Sequence, residues 1–337
     1  MRYYTNSEVN TFNDCRRRWW LGSFRHLRPK FRKVTGAAPI GTRIHSSLGP
    51  YYVPSWFVHP RIAVDGEPMT GPLDPRSVLE EVIAADRAAL MERISAQPQG
   101  DGGWMDDAAD PSIELKEFES EVDLCRVMIS GYMEWLEETG ADADYEVVLP
   151  SESAVAYEFS PGESMAGRLD AQVVQISTGA HLGVDHKTGD LAALRSTLRD
   201  DDQMLRYEIL RRANRLEQRS DGMLFNMFKK SKRTARAQPP FFDRMTVNFN
   251  QHQLESAWTR TMGIIQDIRR VEADLARGTD HRLVAYPRRT KDCDWKCEFR
   301  AVCPMFDDGS RAEDMLQSLF QVGDPMDRYP ELTGGSD

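Results

Sequence analysis

Apolar and polar positions along the chain change rhythm near Gly140, with helical spacing before it and short strands after it. Near the start, Thr5-Asn6-Ser7-Glu8 has the form of a capping box. Phe12, Cys15 and Trp19 follow at helical spacing, which places Cys15 on one face with two large aromatics. A short helix is predicted over GTRIHSSLG, residues 41–49, and two longer ones near Pro75–Ala96 and Pro111–Thr139. The linker between the long helices, QPQGDGGWMDDAAD, is rich in Gly and Asp and reads as a mobile loop. Past Gly140, YEVVL, SAVAYEF, AGRLDAQVVQIS and HLGVDHKTG read as strands, the last two joined by a turn at Thr178-Gly179. A helix around Asp201–Leu216, the strands GMLFNMFKK and RMTVNFN, and a long helix capped by Asn250 and Gln253 and running to about Arg277 complete the pattern. The final residues, ending ELTGGSD, read as a polar, fraying tail. There is no internal repeat. The fold class expected is α/β or α+β, with a helical insertion between the first helices and the sheet.

Composition narrows the class. The chain has 337 residues, 40% hydrophobic and 28% charged, as in a soluble globular protein. No apolar run approaches the roughly 20 residues that span a bilayer. MRYYTNSEVNTF lacks the apolar core of a signal peptide, so a cytoplasmic protein is expected. A net charge of −10 argues against a surface coated for nucleic-acid binding. The charge is nevertheless uneven. Residues 16–33 hold eight Lys or Arg and no acid, and KKSKRTAR forms a second basic run at 229–236. The acids gather in 101–123, in 142–163 and after Asp307. Each basic tract reads as solvated surface unless both face one channel that could hold a phosphate backbone.

Two groups of residues suggest chemistry. Cys293, Cys297 and Cys303 place three of the five cysteines within eleven residues. In a reducing compartment such a cluster reads as metal ligands, and thiolate centres usually take four. Cys125, beside Leu124 and Val127 in a predicted helix, reads as a small buried hydrophobe. In LGVDHKTGD, Asp185 and Lys187 project from one strand face and His186 from the other. The hairpin through Thr178-Gly179 would bring Asp170 beside Asp185. Two facing acids repel unless a cation or proton lies between them, which points to a divalent ion on hard oxygen ligands. A plain ion pair between Asp185 and Lys187 is the simpler alternative for any one D-x-K.

GRLD followed by VDHKTG resembles two motifs of the PD-(D/E)XK nuclease superfamily, in its RecB-like branch. Gln203 and Tyr207 in DDQMLRYEIL match that branch's Q-x-x-x-Y helix, and His45 in GTRIHSSLG matches its metal-binding histidine. Glu146 resembles a further acidic position, or is an exposed strand residue. Cys15 with Cys293, Cys297 and Cys303 resembles the split four-cysteine iron–sulfur site of AddB-type and CRISPR-associated RecB-like exonucleases. Here, though, the first gap is three residues where the family commonly has two.

The resemblance implies a single nuclease domain over residues 1–310. Its helical insertion would lie at about 60–140, its core at about 141–250 and its iron–sulfur segment at 290–305 with Cys15, followed by a polar tail at 311–337. It implies Mg²⁺ or Mn²⁺ on His45, Asp170, Asp185 and the backbone carbonyl of His186, with Lys187 serving the attacking water and Gln203 and Tyr207 orienting the site. It implies a structural [4Fe–4S] cluster, with Zn²⁺ on the same four cysteines as the alternative. Arg16, Arg17, Lys229, Lys230, Lys232 and Arg233 would then line a DNA channel, and Trp19, Trp20 or Phe31 would stack on bases or serve as core. The activity implied is a metal-dependent exonuclease on single-stranded DNA or DNA ends, in recombination, repair or CRISPR-type processing. A phage recombination enzyme in a host cytoplasm also fits. The alternatives are a non-catalytic DNA-binding module, or a subunit active only with a helicase, integrase or recombinase partner.

Overall fold

The structure is a computed structural model that describes residues 1–64, 67–96, 111–214, 220–234 and 236–333. The Gly- and Asp-rich linker at 97–110 lies outside these residues, as do 215–219 and the last four positions. The two long helices occupy Pro75–Ala96 and Pro111–Thr139, as their sequence pattern predicts. Asn250 and Gln253 form a reciprocal capping box on the helix Gln251–Ala276. At Thr5 only half the expected box is present. The Thr5 hydroxyl accepts from the Glu8 N–H, but the Glu8 carboxylate instead accepts from the Trp19 indole at 3.1 Å. No helix among the described residues is long and apolar enough to cross a membrane.

The centre is a five-stranded sheet in the order Phe242–Val247, Gly222–Lys229, Ala180–Gly189, Ala171–Gln175, Tyr145–Leu149. Gly222–Lys229 and Ala180–Gly189 run parallel, and the other neighbours are antiparallel. Alternation along Gly222–Lys229 sends Leu224 and Phe228 to one face and Met223, Phe225 and Met227 to the other. The first face is covered by the helix Ala37–Leu48 and the two long helices, whose Phe118, Val122, Ile129 and Tyr132 are fully buried. Burying each such side chain contributes about 1.5–3 kcal/mol. The second face is covered by the helix Asp202–Ala213 and the start of Gln251–Ala276. The expected insertion is therefore one of the layers that build the core.

The segment AGRLDAQVVQIS, expected as one strand, is two. Glu163–Leu169 belongs to a separate three-stranded sheet, parallel to Arg2–Thr5 and antiparallel to Ser153–Ser160. Ala171–Gln175 belongs to the central sheet. The chain changes sheet at Asp170, which leaves that side chain at a corner instead of in a strand.

The helix Ala37–Leu48 is held by a buried ion pair. Arg43, fully buried, lies 2.7 Å from Asp86 of Pro75–Ala96 and donates to the Val34 carbonyl at 2.5 Å. Arg32 pairs with the same carboxylate. Removing one partner of such a pair leaves an uncompensated charge in the core. Asp86→Ala is expected to destabilise the fold by about 3–5 kcal/mol, read by chemical denaturation. A loss under about 1 kcal/mol would show that water reaches Arg43.

A third core joins the two ends of the chain. Phe12, Trp19, Trp20 and Leu21 pack with Phe299, Val302, Leu316 and Phe320. Residues 311–333 are thus not a loose tail. Ala312–Leu319 is a helix, and Phe320–Val322 pairs with Leu27–Pro29. The sequence pattern missed this because only every third or fourth residue there is apolar and buried, a signal too short to separate from a polar loop. Near the start, the expected continuous helix breaks. It ends at Asp14, Cys15 is extended, and Arg16–Trp19 restarts the helix. The break frees the Cys15 thiol from the aromatic face where the spacing had placed it.

Candidate functional site

Hairpin register brings the predicted acids together. Ala171 pairs with Val184, so the next positions, Asp170 and Asp185, stand opposite one another at the corner of the sheet. Asp185 and Lys187 share a strand face, with Lys187 Nζ 2.7 Å from Asp185 Oδ2. His186 points the other way, into the helical layer, against the rings of Tyr52, His45 and Phe228. Its backbone N–H donates to Asp170 Oδ2 at 2.7 Å. The helix Ala37–Leu48 turns Ile40, Arg43, Ile44 and Ser47 to the core, while Thr42, His45 and Ser46 line the cleft. His45 Nδ1 lies 3.0 Å from Asp170 Oδ1.

His45, Asp170 and Glu152 each offer a ligand atom, and these atoms all lie within 4.8 Å of one another. Glu152 was not singled out from sequence. It has positive φ in the turn between Tyr145–Leu149 and Ser153–Ser160, six residues after the Glu146 that was. Glu146 is exposed, paired with Val174 in the sheet, and does not line the cleft. A carboxylate in a turn has no periodicity to mark it; its positive φ, unusual for a residue other than Gly, Asn or Asp, appears only in the structure.

Gln203 and Tyr207 line the same cleft, and Gln203 Nε2 donates to the Tyr207 hydroxyl at 3.0 Å. A Cβ on Gly167 would stand 2.7 Å from the Tyr207 ring, so the glycine of GRLD is what lets this ring close over the strand. The cleft measures about 810 Å³.

The charges inside are held out of balance. Burial pushes Asp170 up, but His45 and the His186 N–H outweigh it and hold its carboxyl at about 2. Burial and the Asp170 charge raise Asp185, against the pull of Lys187. Burial and Asp170 also raise Glu152. Burial lowers His45, but Asp170 and Asp185 overcome it and raise the imidazole to about 9. Burial drops His186 to about 3, so its ring is neutral. Two carboxylates and an imidazole this close, with Asp185 facing Asp170 across the hairpin, could hold a cation, and hard oxygens with one nitrogen suit Mg²⁺ or Mn²⁺.

Four cysteines meet at a second place. Cys15, Cys293, Cys297 and Cys303 line one void of about 240 Å³ between the chain's two ends. Two backbone N–H groups point at its sulfurs, Arg288 to Cys15 at 3.4 Å and Thr290 to Cys293 at 3.5 Å. Burial raises the Cys297 thiol to about 11 and also raises Cys303. Cys125 lies apart, fully buried in the helical layer.

The basic tracts do not face the cleft. Arg17 is fully buried, donates to the Cys303 carbonyl and pairs with Asp307 at 2.8 Å. Arg16 reaches Asp267, Arg18 pairs with Glu298 and Arg25 with Glu313. Arg233 pairs with Glu134, Lys229 donates to the Gln238 carbonyl, and Lys232 to the Ser120 hydroxyl. Lys230, partly buried, does not line the cleft either. Trp19 and Trp20 are core residues, not stacking platforms; Phe31 is exposed and away from the cleft. The cleft's arginines are Arg168, inside the GRLD motif, and Arg328.

A putative exonuclease of Eubacterium rectale has a solved structure similar to this one, with 12% sequence identity and a TM-score of 0.46 over 99% of this chain and 94% of that one. No curated protein matches the chain. Its sequence matches the PD-(D/E)XK nuclease superfamily over residues 4–304, a span holding His45, Glu152, Asp170, Asp185, Lys187 and all four clustered cysteines. The chain belongs to the PD-(D/E)XK nuclease superfamily.

Proposed function

We propose that this nuclease is a metal-dependent exonuclease acting on single-stranded DNA or DNA ends, in the manner of the RecB-like branch. The observation that carries the reading is the meeting of His45, Glu152 and Asp170 beside Asp185 and Lys187 in one cleft. His45, Asp170, Asp185 and the His186 carbonyl would hold Mg²⁺ or Mn²⁺, with Glu152 as a further ligand. A divalent ion bound there supplies a lowered water pKa and offsets negative charge on the phosphoryl oxygens.

The residues do the rest. His186 holds Asp170 through its N–H, which orients one carboxylate oxygen toward His45. Asp185 keeps Lys187 protonated and fixed, so its ammonium can steady a water or a developing oxyanion. The Gln203–Tyr207 pair closes one wall, offering hydrogen bonds to a phosphate or to the site's acids.

For the cysteines we favour a [4Fe–4S] cluster. A zinc ion about 2.3 Å from each thiolate needs sulfurs about 3.8 Å apart, and among the described residues no three of these cysteines lie within 4.8 Å of one another. A hollow of about 240 Å³ suits a polynuclear centre better. Lying between the two ends of the chain, it would act as a structural clasp, and its lining shares no residue with the cleft.

The test is anaerobic purification followed by incubation with end-labelled single-stranded and duplex DNA, with and without Mn²⁺. Metal-dependent release of short products from an end supports the reading; no cleavage by folded, coloured protein would move it to a binding module or a partner-dependent subunit. Glu152→Gln is expected to weaken metal dependence, raising the Mn²⁺ needed for half-maximal rate about tenfold or more, the scale of one lost charged contact. An unchanged Mn²⁺ curve would remove Glu152 from the ligand set.

A further inference from the structure

The cleft carries one cation that nothing in the core-building layers explains. Of the charged groups lining it, His45 is paired with Asp170, Lys187 with Asp185, and Arg168 with Glu331 and the carbonyls of Glu152 and Arg328. Arg328 is exposed, and among the described residues its guanidinium has no hydrogen bond or ion pair. It lines the same cleft as Glu152, Arg168 and Asp170.

The segment that presents it is anchored at both ends. On one side Phe320–Val322 pairs with Leu27–Pro29, and the Gly323 N–H donates to the His26 carbonyl at 2.8 Å. On the other, Arg168 donates to the Arg328 carbonyl and lies over the Tyr329 ring, Tyr329 is buried, and the Tyr3 hydroxyl donates to the Leu332 carbonyl at 3.0 Å. All of these contacts use the backbone or neighbouring side chains. The exposed Arg328 side chain is left at the wall that the cleft shares with a second hollow lined by Met1, Arg2 and Arg28.

A phosphodiester brought beside these acids is favoured by a cation beyond Lys187, which is already paired with Asp185. A free guanidinium on a fixed support, with donors arranged to bind two phosphate oxygens, is the group such a site needs. Resting on the nuclease reading above, we propose that Arg328 grips a backbone phosphate of the single strand being cut, which makes the strap 323–333 part of the substrate-binding wall. Arg328 is a positioning residue for the substrate; the acids and Lys187 keep the chemistry.

The experiment measures steady-state cleavage of a labelled oligothymidylate in Mn²⁺ across a series of KCl concentrations, for wild type, Arg328→Ala and Arg328→Lys. Arg328→Ala is expected to raise KM about tenfold with kcat little changed. The slope of log KM against log salt should fall by about 0.7, the counterion share of one single-strand phosphate contact. Arg328→Lys keeps the charge, so it should retain the slope and recover part of KM. Thermal midpoints should match throughout, since this side chain holds no fold contact. Unchanged KM and slope in Arg328→Ala, an effect on kcat alone, or a lysine variant no better than alanine would overturn the proposal while leaving the nuclease reading intact. A wild type that cuts nothing would remove both.

Discussion

Asp185→Asn abolishes metal-dependent cleavage, with kcat/KM falling on the order of a thousandfold or more, the scale of losing one group that stabilises the reacting charge. The change is nearly isosteric, so it tests charge and not packing. Asp185 is buried at the sheet corner, raised by burial and by Asp170, and stabilised there by Lys187. Removing its charge relieves the repulsion with Asp170 and releases Lys187, two effects that oppose each other. The metal-free variant should therefore melt within a few degrees of wild type. A second readout separates ligand loss from misfolding. A ligand that binds only the folded state, present at about 100 times its Kd, stabilises by about 2.7 kcal/mol. Mn²⁺ should raise the wild-type melting temperature and leave that of Asp185→Asn unmoved. If Mn²⁺ stabilises both equally, Asp185 is not a ligand.

Cys297→Ser removes visible absorbance and bound iron together and lowers the thermal midpoint. Cys15 and the three later cysteines are separated by nearly the whole chain, so closing that loop through a metal centre removes much entropy from the unfolded state. The same ends also pack through Trp19, Trp20, Phe299 and Phe320, and the strand Phe320–Val322 pairs with Leu27–Pro29. The variant should therefore stay folded at low temperature and lose several kcal/mol of stability, about the 2–5 kcal/mol typical of removing one cross-link. Cys125→Ser is the control. It sits in the helical layer and should keep full iron content while losing stability from a buried hydroxyl. Stoichiometric zinc and no iron in the wild type would replace the cluster with the alternative ion; a Cys297→Ser protein that keeps its iron would break the four-cysteine reading.

Most of the candidate site residues were legible because their placement is written at short range. D-x-K on a strand puts Asp185 and Lys187 on one face whatever surrounds them, and the hairpin turn carries Asp170 opposite Asp185 by register alone. Q-x-x-x-Y does the same on a helix, and the contact between Gln203 and Tyr207 is made within that helix. His45 is different in kind: its helix is held at the site by long-range contacts such as the Arg43–Asp86 pair and the packing of Ile40 and Ile44, and it was found through family resemblance. Glu152 and Arg328 escaped because each lies outside a regular element, where no periodicity marks a side chain's direction.

The sequence by itself determined the local elements, the opposed acids with their lysine, and the odd number of cysteines with three placed close together. Tertiary structure decided which charges were free. From sequence the tract at 16–33 was a candidate for DNA; in the fold Arg17, Arg18 and Arg25 meet Asp307, Glu298 and Glu313, acids from the far end of the chain. A charge's role depends on what packs against it, and partners nearly three hundred residues away cannot be read from neighbours in sequence. By the same rule Arg328, in a segment that looked like loose tail, stands in the cleft without a partner among the described residues, because the chain folds back through Phe320 and Tyr329 to place it there.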